Sequence, residues 1–129
     1  IRNMTVDQEA LTEHCLEIAK EMLALNHEFY PFGAFIGKSG IVHPMGIEIE
    51  SKNIPNNGSL IEQLVALATL ENFETYALCY EVSVQMEASE NPKDAICVEI
   101  NNVKLPKVYL PFDKSEETLT FDQVFAVNQ

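Results

Sequence analysis

Tyr76-Ala77-Leu78-Cys79-Tyr80-Glu81-Val82-Ser83-Val84-Gln85-Met86-Glu87 alternates residue by residue, with Tyr76, Leu78, Tyr80, Val82, Val84 and Met86 forming one apolar set. A period of two marks a β-strand, whose successive side chains point to opposite faces. The polar stretch Glu87 to Asp94, with Asn91-Pro92 inside it, turns the chain. Ala95 to Ile100 then reads as a second strand, with Ile96, Val98 and Ile100 on one face. Asn101-Asn102 turns it again, and Val108-Tyr109-Leu110 makes a short strand ended by Pro111, which has no N–H to give a ladder. Short connections between these strands imply antiparallel hairpins. The tail from Thr118 to Val127 fits either a last strand or a short amphipathic helix.

Toward the N-terminus, Ser59-Leu60-Ile61-Glu62 has the form of a capping box. It opens a helix to about Asn72 that is apolar around most of its circumference through Leu60, Ile61, Leu64, Val65, Leu67 and Ala68. Such a helix is expected to be the central one over the sheet. Before it, Ser51 to Gly58 is a loop rich in turn formers. Phe32, Ala34 and Ile36 alternate with Gly33 and Phe35 as a strand, Gly37 to Gly40 supplies a tight turn, and Ile41-Val42 starts the return. Pro44 interrupts that return, which is expected to resume through Ile47-Glu48-Ile49-Glu50, with Glu48 and Glu50 on one face. A first capping box, Thr5-Val6-Asp7-Gln8, precedes Leu11, Cys15, Ile18, Met22 and Leu25, the spacing of one helix face running to Asn26. Glu9, Glu13, Glu17 and Glu21 recur every four residues on the other side, as a solvated ladder.

The order is α-β-β-α-β-β-β. It predicts one α+β domain over residues 1–129, an antiparallel-rich sheet of about five strands covered on one face by two helices.

Composition narrows the function classes. The 129 residues carry a formal net charge of -12, so the surface repels phosphate backbones and anionic lipid heads, and neither nucleic acid nor membrane is an expected partner. A hydrophobic fraction of 47% is that of a folded chain and argues against disorder. No apolar run approaches the ~20 residues of a membrane helix. Cys15, Cys79 and Cys97 are odd in number and widely spaced, which reads as free core thiols in a reducing cytoplasm, although strand neighbours Cys79 and Cys97 are a conceivable pair.

The histidines His14, His27 and His43 form no HxH or HExxH arrangement, no GxSxG or phosphate loop is present, and no cofactor or metal site is expected. Candidate ligand-binding residues are Tyr30, Phe35, His43 and Glu62, which fall where a helix-to-strand hinge meets the asparagine-rich loop.

Phe29-Tyr30-Pro31-Phe32-Gly33-Ala34, running into a hairpin and then a helix, resembles the opening of a cytidine deaminase. That resemblance implies a shared scaffold without the zinc chemistry, because no Cys or His precedes Glu62 in the motif and no PCxxC follows. The element order is also similar to roadblock-type regulatory domains, which implies dimerisation. Short, acidic bacterial chains of this style resemble families that include toxin-immunity proteins. The expectation is a cytoplasmic protein-binding or regulatory domain with an acidic surface, its partner a basic protein or a second copy in a homodimer. The alternative is a small-molecule-binding domain or enzyme with its site near residues 30–58.

Overall fold

A computed structural model describes residues 3–47, 49, 52–115 and 117–128. The element order is α1 (Val6–Asn26), β1 (Phe32–Ile36), β2 (Val42–Met45), α2 (Asn57–Leu70), β3 (Thr75–Val84), β4 (Lys93–Ile100), β5 (Lys107–Lys114), β6 (Leu119–Phe121) and β7 (Phe125–Val127). The fold is α+β. Its sheet runs β2-β1-β3-β4-β5-β6, with β7 also on β5, and every pairing is antiparallel.

The expected strand count of about five rises to seven among the described residues, because the tail resolves into β6 and β7 rather than a helix. These two are the halves of one return strand. Phe112 faces Phe121 and Tyr109 faces Phe125, which leaves two residues between the pairs on β5 and three on the other side. One extra residue is a β-bulge. Pro111 lies opposite it and accepts a bond from Asp122 N at 2.9 Å. In an antiparallel strand the N–H and C=O of one residue point to the same neighbour, so the missing proline donor also faces the bulge. That is why β5 runs on to Lys114 where the sequence suggested an end at Pro111.

Helix α1 starts at the expected capping box, with Gln8 N donating to Thr5 Oγ1 at 3.1 Å and Thr5 N to Gln8 Oε1 at 2.9 Å. It ends at His27, in the left-handed region at φ 61°. The Lys114 ammonium, from the end of β5, donates to the His27 carbonyl at 2.8 Å and serves the helix terminus. The buried apolar stripe is Leu11, Cys15, Ala19 and Leu23, a step of four with Thr12 buried beside it, and Leu25, expected inside, is 80% exposed. This stripe packs on Ala34, Ala77, Cys79, Ile96 and Val98.

Helix α2 is capped by Asn56, whose side chain accepts from Ser59 N at 2.8 Å, so it begins earlier than the Ser59 box implied. It buries Leu60, Leu64 and Ala68 against Met45 and Leu78. Leu78 belongs to this smaller core while its neighbours Ala77 and Cys79 belong to the core under α1. Alternate residues of a strand face opposite ways. The two helices therefore lie on opposite faces of the sheet, where one shared face was expected, and α1 rather than α2 covers the main core. The expected strand continuation at residues 47–50 takes in Glu48 and Glu50, which lie outside the described residues; Ile47 and Ile49 are not in a strand. No helix among the described residues is long and apolar enough to cross a membrane.

Candidate functional site

Of the four candidate residues, the structure brings two together. Phe35 and His43 are cross-strand partners in the β1–β2 hairpin, and their rings stack at 5.1 Å. Phe73, just after α2, stacks on Phe35 at 3.8 Å and 7°. Beside this stack lies an open crevice of about 650 Å³ bordered by Lys38, Asn72 and Glu74. Tyr30 stands near Met22 and Asn26 at the end of α1, before β1 begins at Phe32. Glu62 is exposed on the first turns of α2, far along its axis from Phe73. The rings that line the crevice are thus engaged with each other, and the two remaining candidates are elsewhere.

The thiols are split between the faces. Cys79 Sγ lies 3.8 Å from the Cys15 carbonyl under α1. Cys97 pairs with Tyr80 and lies on the other face, so register keeps it from Cys79, and all three cysteines are free. Burial pushes the Cys15 thiol up to about 12 and the Cys97 thiol to about 11, and holds Cys79 well above its ordinary value. Thiols so protonated are poor nucleophiles. No cluster of three metal-ligating side chains occurs among the described residues.

The feature that the sequence reading missed is on the α2 side of the sheet. Helix α2 reaches only β1, β2 and the first half of β3, through Met45, Leu78, Tyr76 and Tyr80. Beyond it the strand register sets out four rows across β3, β4, β5 and β7. Leu78, Glu99, Lys107 and Val127 form the first, and Tyr80, Cys97, Tyr109 and Phe125 the second. Val82, Ala95 and Pro111 form the third, and Val84 begins the fourth, opposite Lys93.

In the second row Tyr109 and Phe125 stack at 5.3 Å, and Cys97 lies buried between its cross-strand partners Tyr80 and Tyr109. Burial raises both phenols above their ordinary value, so neither is ionised near neutrality. Val82, Val84, Tyr109 and Phe125 are only half-buried, while Met86 (53%) and Val127 (48%) are exposed; together they line a shallow concavity of about 630 Å³.

The charges on this face are held in pairs. Lys107 lies 3.4 Å from Glu99, and Lys93 bridges Asp113 at 3.1 Å and Asp122 at 2.8 Å. Two lysines thus meet three carboxylates, which leaves the face near neutrality in a chain of net charge -12. The acidic ladder Glu9, Glu13, Glu17 and Glu21 is on the outer side of α1, across the sheet. Such a surface is suited to burying apolar area against another surface.

Comparison with protein-family models, with curated proteins and with solved structures found no match to this chain.

Proposed function

We propose that this protein is a protein-interaction domain whose contact surface is the bare half of its sheet, over β3, β4, β5 and β7. One observation carries the reading: the apolar patch of Val82, Val84, Tyr109, Phe125 and Val127 continues past the end of α2 and stays partly open to water. Water-exposed apolar area is unfavourable by about 25 cal/mol per Å², and a partner that covers it recovers that energy. Aromatic residues flanked by paired charges are the composition of an interface centre and rim.

The alternative, a small-molecule site over residues 30–58, has less support. Only Phe35 and His43 of its residues meet, and Phe73 already fills one face of the Phe35 ring.

The test compares wild type with Phe125→Asp and Val127→Glu in two assays: the mass of the purified chain in solution, and affinity capture from a lysate of the source organism. Loss of self-association or of a specific captured protein in both variants supports the reading. Unchanged behaviour in both assays removes it.

A further inference from the structure

An asparagine amide can be attacked by the backbone nitrogen of the next residue. The reaction needs a side chain that is not held, an N–H free to approach it, and a following residue that does not crowd the approach. Asn57-Gly58 is the one Asn-Gly pair in the sequence, and glycine has no Cβ beside the attacking nitrogen. Asn3, Asn26, Asn53 and Asn72 precede Met4, His27, Ile54 and Phe73, whose side chains crowd that nitrogen. Asn91 precedes Pro92, which has no N–H. Three further amides are held. Asn56 Oδ1 accepts from Ser59 N at 2.8 Å, and Asn102 Oδ1 from Lys104 N at 3.0 Å. Asn101 is fixed at both ends, accepting from Tyr76 N and donating to the Glu74 carbonyl, each at 2.9 Å.

Asn57 and Gly58 open α2, and both are exposed. The first N–H groups of a helix have no carbonyl one turn earlier to bond. Ser59 N has the Asn56 side chain and Leu60 N the Asn56 carbonyl. No hydrogen bond among the described residues engages Gly58 N or the Asn57 side chain. We propose that Asn57 is a site of spontaneous deamidation through Gly58 N, gated by opening of the first turn of α2. Helical backbone turns that nitrogen away from Asn57 Cγ, so the turn must open before the ring closes, and the Asn56 cap sets how often it does.

The steps need no reactant but water. Gly58 N bonds to Asn57 Cγ, the Cγ–Nδ2 bond breaks, and the proton of Gly58 N leaves with the amide nitrogen as ammonia. Water then opens the cyclic imide. Addition at Cγ gives aspartate on an unchanged backbone, whereas addition at the main-chain carbonyl of residue 57 reroutes the chain through Cβ as isoaspartate. The two products act on α2 in opposite ways. Aspartate brings a carboxylate to a first turn that holds no acid, where it complements the helix dipole. Isoaspartate adds a backbone methylene between the Asn56 cap and Ser59, which breaks the cap bond and unseats the turn that carries Leu60.

Ageing the purified full chain in mildly alkaline buffer, followed by peptide mapping that separates aspartate from isoaspartate, tests this. The expected result is conversion at Asn57 ahead of every other asparagine. Chains with isoaspartate there exchange their α2 amides faster, with α1 and β3 unchanged. Gly58→Ala, whose methyl meets only Asn56 Oδ1 at 3.4 Å, favours the closed turn by up to ~1 kcal/mol, a slowing of about fivefold. Asn56→Ala removes a cap worth ~1 kcal/mol and speeds the reaction about fivefold, an effect that vanishes in urea, where no cap exists. Three results would each overturn the proposal: an inert Asn57 in the folded chain while the urea-unfolded chain reacts, equal conversion at Asn56 or Asn102, or a folded-state rate indifferent to Asn56→Ala.

Discussion

At Gly33 the backbone of β1 lies so close to β3 that a methyl group would stand 2.5 Å from Met45 Cε and 2.6 Å from the Ala77 carbonyl oxygen. The methionine end can swing aside, but the carbonyl belongs to the sheet ladder and cannot. Gly33→Ala is therefore expected to lose about 1–3 kcal/mol, read as a lower urea midpoint with an unchanged slope. Glu81 presents a different conflict. It faces the α1 side of β3, and its Oε1 is buried with no hydrogen-bond partner. Burial first, then Asp94 and Glu28, raise its pKa above the ordinary 4.5, while Lys114 lowers it. The folded state holds this proton more tightly than the unfolded chain does, so stability falls as pH rises from about 4.5 through the raised folded value. Glu81→Gln is expected to raise the urea midpoint at pH 7 and to give no gain below about pH 4. Equal gains at both pH values would show that the effect is packing rather than ionisation.

Helix α1 shows how element-level reading succeeds and fails. Its capping box and length were legible because both are local: Thr5 and Gln8 serve each other within one turn. Its buried stripe was misassigned toward the end because Leu25 looks as apolar as Leu23, and only the step-of-four contact with the sheet selects between them. Leu23→Ala is expected to cost about 2–5 kcal/mol and Leu25→Ala less than about 0.5 kcal/mol. The start of α2 was misplaced because Ser59 and Glu62 imitate a capping box three residues downstream of the real cap. Asn56→Ala is expected to cost about 1 kcal/mol, and Ser59→Ala a few tenths; thermal melts of the two variants distinguish them. Strands β1, β3 and β4 were readable from alternation. β5 was cut short because nothing local tells which neighbour a proline turns its missing donor toward.

At the scale of the whole molecule, the class and the antiparallel pairing followed from the order of elements, whereas the placement of the helices did not. In the first half of β3 Ala77 and Cys79 are apolar on one side and Tyr76, Leu78 and Tyr80 on the other, so the pattern there calls for cover on both faces without saying how far that cover extends. One helix per face answers it, but α2 has only fourteen residues and leaves the far strands uncovered. For this reason Tyr80, Cys97 and Tyr109 read as ordinary core positions, and the candidate surface stayed hidden until register set them side by side. The clue present in the sequence was that Val82, Val84 and Met86 prolong the apolar set of β3 with no helix left to meet them. The same architecture sets a hierarchy of opening. β3 and β4, paired on both sides, are expected to exchange their amides slowest, and β6 and β7 fastest, in native-state hydrogen exchange.

The extra residue between Phe121 and Phe125 has a further effect at the outer border of the sheet. An uninterrupted outermost strand offers a continuous row of donors and acceptors onto which a stray chain can zip, and polymerisation begins there. The bulge breaks that row into two three-residue pieces, too short and too kinked to template a newcomer. At the opposite border, β2 is four residues long and carries Pro44. Deleting Gln123 would bring the two pieces into one register along β5, and the altered chain is expected to form thioflavin-binding fibrils under conditions where the parent stays clear.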